Sequence, residues 1–471
     1  MISRRDLLRA LGALPIISRT RGLAAGDLRY RLLGRTGRWV VPFALGGIGS
    51  VQWTGPGIDP ADIMVRAVEL GVNYLDSANN YGPSQVNYGE AFRRLHLVPT
   101  DPDYNAALRE RLYIASKTAS RYAINRGSAA ATAVDELKRS LTQMFGDGKG
   151  AIPEGAYLDC MQIHSVSDQQ SVDQIYENLD RREDRSVSRI GALAGLLDFR
   201  DGTNYTGLNP EKRRWIRHIG ITGHQSSLPL MNALQRDTGN ILDTLLVALN
   251  ANDRRYLSNQ NNVLPIAVGR GMGVIAMKVL ADGVFYGRPG SFSRSPADII
   301  MSVGRPGAVS STDLLRYPLS IPGVSCAVVG IGQIDRENPN ADQVVANLAA
   351  SQGDMASPAE LRRIEDDVAT VHGTETNFFQ DKAVGLVQPT GITVQRDSDR
   401  VVIYWNTALA GAQPIRSYHI YGGDRLAAVV PFIPQTTLAP LSVALPASLI
   451  SAEPVRVVAS EIYPLPPRRR Q

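Results

Sequence analysis

Four side chains of four chemical types stand at or just beyond the ends of short apolar runs. Asp76 closes Asn73-Tyr74-Leu75-Asp76, Lys117 closes Leu112-Tyr113-Ile114-Ala115-Ser116-Lys117, and His164 closes Leu158-Asp159-Cys160-Met161-Gln162-Ile163-His164. Tyr81 follows Asp76 across Asn79-Asn80 and precedes Gly82-Pro83, turn residues that end a strand. A free phenol, with a pKa of about 10, holds its proton too tightly to transfer it well near neutrality. A lysine ammonium beside it favours the phenolate, and a carboxylate pairs with the ammonium and fixes it. An imidazole donates to a substrate oxygen and orients it. Taken singly, each residue has a plainer reading: Asp76 and Lys117 as a structural ion pair, His164 as a satisfied core histidine, Tyr81 as a loop aromatic.

The elements that must position these groups follow from hydrophobic period. From Leu28 to about Val384, short apolar runs alternate with longer amphipathic stretches. The first strand is Val40 to Gly47, and seven more are read at 73–76, 112–116, 158–163, 217–221, 244–249, 273–277 and 325–330. Helices are read near 60–70, 84–95, 128–145, 168–181, 226–237, 259–269, 309–318 and 341–350. Eight strands alternating with helices mean parallel βαβ units that close into a (β/α)₈ TIM barrel, an α/β fold whose chemistry sits at the strands' carboxyl ends. Two links, 181–214 and 281–310, are too long for plain connections and are expected to cover a substrate.

The chain has 471 residues, 44% hydrophobic and 20% charged, enough for a large core and a second domain. A net charge of +5 comes from scattered arginines with no aromatic-interleaved basic helix, so no nucleic-acid partner is expected. Cys160 and Cys326 lie in apolar runs, which excludes a disulfide framework. No apolar run is long enough to span a bilayer. A barrel hydrolase would need a carboxylate pair or metal ligands at strand ends, and no such set, metal-binding or otherwise, is read.

Both ends differ from the middle. Ser3-Arg4-Arg5-Asp6-Leu7-Leu8-Arg9, the apolar Ala10 to Ile17 and Gly22-Leu23-Ala24-Ala25 resemble a twin-arginine signal peptide over residues 1–26, which implies a periplasmic or secreted protein. The barrel is assigned 27–384. After it, Gly385 to Val394, Arg400 to Trp405 and Ile415 to Tyr421 alternate with period two. Pro389-Thr390-Gly391-Ile392-Thr393-Val394, Trp405 and Tyr418-His419-Ile420-Tyr421 resemble a fibronectin type III β-sandwich over 385–463, which implies a protein or glycan contact. Residues 464–471 read as a disordered basic tail.

The central residues also carry a likeness. Asp76-Ser77-Ala78 with Tyr81-Gly82 and Ser84, continued by Gly89-Glu90-Ala91, resembles the signature of the aldo-keto reductase superfamily. Ile114-Ala115-Ser116-Lys117 resembles its lysine strand and Met161-Gln162-Ile163-His164 its histidine strand. The likeness runs from Arg31-Leu32-Leu33-Gly34-Arg35-Thr36-Gly37 to Val328-Val329-Gly330-Ile331-Gly332. It implies reversible hydride transfer between NADP, or NAD in its place, and an aldehyde, ketone or sugar-like alcohol. Carbonyl reduction needs a proton at oxygen, and the resemblance makes Tyr81 the proton donor or acceptor, Lys117 and Asp76 its tuners, and His164 the orienter.

The same resemblance implies cofactor contacts at Gly46, Thr222, Asn250, Lys278, Leu280 and Gly283, with Gly330, Gly332, Gln333, Gln343 and Asn347 at the adenosine end. The chain departs from the pattern in two places. Gly223 replaces an amide that many relatives place after the residue matching Thr222, and Ile334 to Asn340 is inserted before Gln343. Two side chains keep open readings: His224 as a ligand contact or a helix cap, Arg336 as a partner of a 2′-phosphate or a plain loop arginine. An exported reductase has no nicotinamide pool around it, so either the enzyme retains and cycles its nucleotide, or the barrel is a binding or scaffold protein without turnover.

Overall fold

The structure, a computed structural model, describes residues 28–49, 51–55, 57–120, 128–252, 258–281, 309–372, 385–450 and 453–462. The twin-arginine segment, Gly283, most of the 281–310 link and the tail 464–471 lie outside them.

A closed barrel of eight parallel strands organises the fold. A hairpin of β1 (Arg31–Leu32) and β2 (Trp39–Val40) precedes β3 (Phe43–Leu45), β4 (Tyr74–Asp76), β5 (Tyr113–Thr118), β6 (Leu158–Ile163), β7 (Ile216–Gly223), β8 (Leu242–Ala248), β9 (Gly273–Met277) and β10 (Val324–Val329). The strands neighbour one another in that order from β3, and β10 closes on β3. The sequence reading of eight strands and a TIM barrel therefore stands, with ends shifted by at most three residues.

Period two explains the wall. Tyr74, Tyr113, Ala115, Cys160, Leu246, Ile275 and Cys326 pack together inside the barrel, while the alternate residues Leu75, Ile114, Met161, Ile163, Val247 and Val274 join the core beneath the helices. Leu33 and Val40 of the hairpin belong to the interior cluster and plug its amino end. Gly34 turns that hairpin at φ +48°, and a Cβ there would stand 2.2 Å from Gly273 N, so only glycine fits.

The helices are α1 (Pro60–Glu69), α2 (Ser84–Arg94), α3 (Ala106–Arg111), α4 (Ala129–Phe145), α5 (Gln169–Ile175), α6 (Ala192–Asp201), α7 (Ser227–Arg236), α8 (Asn259–Gly269), α9 (Ser311–Leu319), α10 (Gln343–Gln352) and α11 (Pro358–His372). Side-chain caps start many of them: Asp59 accepts from Ala61 N, Asp168 from Ser171 N, and Asp342 from Val344 and Val345 N.

One expectation fails here. The 181–214 link is not a covering loop: its Ala192-Leu193-Ala194-Gly195-Leu196-Leu197 run forms α6, with eight of ten residues buried. Gly195 brings α6 onto α4, where a Cβ would meet Ala130 O at 2.9 Å. The helix read at 168–181 correspondingly stops at Ile175.

Beyond residue 385 lie two three-stranded antiparallel sheets. One orders β11 (Thr390–Arg396), β12 (Arg400–Asn406) and β15 (Leu441–Pro446); the other orders β14 (Arg425–Pro431), β13 (Ser417–Gly422) and β16 (Val455–Ser460). Trp405, 1% exposed, fills the space between them against Tyr418. The module docks on α7 and α8. Asn262 Nδ2 donates to Ala410 O at 3.0 Å while its Oδ1 accepts from Ala410 N at 2.8 Å, Asn261 donates to Gly411 O, and Gln235 donates to Gln435 O.

Candidate active site

β4, β5 and β6 place their inward residues in one layer near the carboxyl end of the barrel. Lys117 and Gln162 are register partners, and Asp76 lies opposite Ala115. Lys117 Nζ donates to Asp76 Oδ2 at 2.5 Å and to Ser77 O at 2.8 Å, and Gln162 Nε2 donates to Asp76 Oδ1 at 3.2 Å. The ammonium also stands 4.6 Å from the centre of the Tyr81 ring. Tyr81 Oη is 3.4 Å from His164 Nε2, and the two rings meet edge-on. The four residues singled out from the sequence thus converge.

Their surroundings set their charges. Burial opposes charge on Lys117, but the Asp76 carboxylate and then the Tyr81 phenol outweigh it and hold the ammonium above its ordinary range. Burial likewise pushes the Asp76 carboxyl up, with Lys117 and then Gln162 pulling it back. Three donor hydrogens aimed at one carboxylate and one carbonyl keep a buried ion pair satisfied on both sides.

The loop carrying Tyr81 is held by residues that sequence reasoning passed over. Asn79 Nδ2 donates to Lys117 O, Glu136 O and Ser140 Oγ at 3.2, 2.9 and 2.8 Å, tying the loop to β5 and α4. Ser77 and Ser84 join hydroxyls at 2.9 Å, and Gly47 leaves room for that junction, since a Cβ there would meet Asp76 O at 2.5 Å. Gln52, 6% exposed, lies beside Gly82, and its Oε1 has no partner among the described residues. Amides in loops carry no periodic signal, and only the Asn79-Asn80 pair was noticed, as a strand breaker.

The residues expected at a cofactor fall into four groups. On the wall next to His164, Thr222 Oγ1 accepts from Ser165 N at 2.6 Å and shapes the loop after β6. At the ends of β8 and β9, Asn250 Nδ2 donates to Lys278 O at 3.2 Å, and Lys278 (φ +59°), Leu280 and Ala281 (φ +47°) form a tight turn. At the β10–β3 junction, Gly46 N donates to Val329 O, and Gly330 approaches Gly49 O so closely that a Cβ would stand 3.0 Å from it.

The residues expected at the adenosine end, the fourth group, are largely engaged with one another. Gln343 Oε1 accepts from Gly332 N and Gln333 N at 2.9 and 3.2 Å, and Asn347 Nδ2 turns back to Gln343 O. Arg336 pairs with Glu69 on the surface at 2.6 Å. His224 ends the β7 rim, its carbonyl accepting from Asn259 Nδ2 at 3.4 Å.

Comparison with known proteins bears on what this constellation is. The profile of the aldo/keto reductase family matches residues 47–196, a segment that contains Asp76, Tyr81, Lys117 and His164. Residues 47–196 are an aldo/keto reductase family domain. Outside it, Gly46 lies just before the matched segment, and Thr222 onward lie beyond it. L-glyceraldehyde 3-phosphate reductase of Escherichia coli strain K12 is 26% identical over 271 residues, and that of strain O157:H7 is 25% identical over 269. Either match covers 56% of this chain and 64% of the relative's length. Among solved structures, a Klebsiella pneumoniae aldo-keto reductase in complex with NADPH aligns with 76% of this chain and all of its own, at 19% identity and a TM-score of 0.46. Another from the same organism, in complex with NADP and acetate, aligns at 18% identity over 75% of this chain and 99% of its own, with a TM-score of 0.44. Among the described residues no helix is long and apolar enough to cross a membrane.

Proposed function

We propose that the chain is an NADP(H)-dependent oxidoreductase that reduces an aldehyde or ketone, or oxidises an alcohol or sugar in the reverse direction. One observation carries the reading: a phenol 3.4 Å from an imidazole, with a buried ammonium at its ring, at the carboxyl end of a closed barrel. Tyr81 is the proton donor, His164 orients the carbonyl oxygen, and Lys117, fixed by Asp76, stabilises the phenolate left behind. A bound nicotinamide supplies the hydride. The donor set fits such a nucleotide: the Lys278–Ala281 turn and Asn250 on β8 and β9 offer backbone and amide groups, and Gly46 and Gly330 leave the adjoining rim without side chains.

The finer parts of the proposal rest on the sequence. Export by the twin-arginine route, to the periplasm or beyond, rests on Ser3 to Arg9. The reading of the two C-terminal sheets as fibronectin type III-like rests on the strand pattern and Trp405, and their contact with a protein or glycan on that likeness.

The test is nucleotide binding by calorimetry with NADP(H) and NAD(H), followed by turnover on a panel of aldehydes, ketones and sugars. Tyr81→Phe is expected to lower kcat by about 10²–10⁴-fold while nucleotide binding persists. Binding without turnover on any substrate would favour a nucleotide-binding barrel instead, and failure to bind either nucleotide would end the proposal.

A further inference from the structure

Helix α4 turns a polar stripe toward the site. Most of its buried side chains are apolar, Ala133, Val134, Leu137, Leu141 and Met144 among them. Glu136, Ser140 and Gln143, spaced four and three residues apart and so on one face, instead meet the end of β5, the loop carrying Tyr81 and the start of α2. The Glu136 carboxylate accepts from Ala119 N at 2.7 Å and from the Thr118 hydroxyl, just past Lys117.

Asn79 is where the stripe reaches the loop. Its Nδ2 donates to Lys117 O, Glu136 O and Ser140 Oγ, and its main-chain N donates to Lys117 O at 3.3 Å. Carbonyls only accept, so the amide must face them nitrogen first. Its Oδ1 has no partner among the described residues, which makes this side chain a donor alone. At the other end of the lysine, Nζ donates to Asp76 and to Ser77 O. The loop thus holds Lys117 by its ammonium and by its main-chain carbonyl.

Behind Asn79 the hydrogens can be followed one by one. Ser116 Oγ donates to Gln85 Oε1 at 3.0 Å, which leaves it an acceptor toward Ser140 Oγ at 3.1 Å. Ser140, accepting from Asn79, gives its one hydrogen to Ser116 or to Glu136 O at 2.9 Å. Gln85 Nε2 ends the row on Gln143 Oε1 at 2.9 Å. Asn79, Gln85, Ser116 and Ser140 are all buried, where losing a partner costs most. On the side of the site, Tyr81 N donates to Ala78 O at 3.2 Å, so Asn79 and Asn80 are the central residues of one tight turn that ends at the phenol.

We propose that Asn79 is a positioning residue for the Tyr81–Lys117 pair: its amide anchors the turn on Lys117 O and on the α4 stripe, and so keeps the phenol ring against the ammonium and its hydroxyl at His164. Ser140 supports it by fixing where the amide points.

The catalytic part of this inference rests on the proposed reductase reading, so the test has one arm that needs no turnover. In that arm, carbon-13 NMR of tyrosines labelled at Cζ follows a pH titration, and the Tyr81 signal is the one absent from Tyr81→Phe. Among the described residues the groups facing the phenol are Lys117 from β5, with Asp76 of β4 behind it, and His164 from β6. Asn79→Ala is expected to move the Tyr81 midpoint upward by about one pH unit, because the ring is no longer held beside the ammonium. Ser140→Ala moves it the same way by less. In the second arm, Asn79→Ala lowers kcat by about 10- to 100-fold while nucleotide affinity, read by calorimetry, stays as in the wild type. A lower melting temperature with the Tyr81 midpoint unchanged would make Asn79 a structural tie only and overturn the proposal. A midpoint changed in Asn79→Ala but not in Ser140→Ala overturns the part assigned to Ser140. If Asn79→Ala does not fold, Ser140→Ala, which removes a single oxygen, carries the test, and an unchanged midpoint there overturns the proposal. Variants whose midpoints move as expected in a protein that never turns over sink the reductase reading and leave this inference standing.

Discussion

Lys117 is almost wholly out of water, and its charge persists because Asp76 lies against it. Removing one member of such a pair leaves the other charge uncompensated. Lys117→Met is therefore expected to destabilise the fold by about 3–5 kcal/mol, and Asp76→Asn combined with Lys117→Met to recover part of that loss. Chemical denaturation of Lys117→Met, Asp76→Asn and the double variant checks it; a double-variant loss equal to the sum of the two single losses would show that the pair is not coupled. The four residues of the candidate site were legible in the sequence because each stands at or just past the end of a short apolar run, where a barrel presents side chains to its mouth. Gln52, Asn79 and Gln162 were not. Their importance lies in which atom each amide presents to a neighbour, and that depends on contacts between segments far apart in the chain.

The strands were read nearly to the residue because alternation inside and outside a barrel leaves a strong period. The helices were less legible where composition misled. Between Arg181 and Arg214, arginines, aspartates and glycines flank the apolar run of α6, and the flanks hid the helix. At the barrel's amino end, three elements meet through charge: Glu110 of α3 pairs with Arg217 of β7 and with Arg38 beside β2. Arg217, and behind it Arg38, hold the Glu110 carboxyl down at about 2 against partial burial. A depressed carboxyl contributes stability that is present above its unfolded value of about 4.3 and is lost as pH falls through the folded one. The melting temperature of Glu110→Gln should thus lie below that of the wild type at neutral pH, and the gap should close between about pH 4 and pH 2. A gap that stays constant across that window would rule out the linkage.

At the scale of the molecule, the β-module is joined to the barrel by buried amides on both sides. Asn262 meets both the N–H and the C=O of Ala410, as a neighbouring strand would. In Asn262→Ala both groups lose their partner inside the interface, at about 1–3 kcal/mol for each. Calorimetry should show one unfolding transition in the wild type and two in the variant; a single transition in both would mean that the contact does not couple the parts. The sequence announced the module through its change of period, but not its docking, because asparagines at the start of a helix read as ordinary caps and polar turns. Asn259, in the same turn of α8, donates weakly to His224 O and Ala248 O at the rim. A stop codon or frameshift after residue 384 would therefore do more than shorten the gene product. It would strand the amides of α8 in an uncovered seam next to the rim where chemistry is proposed, so natural selection has to keep both halves as a single inheritance.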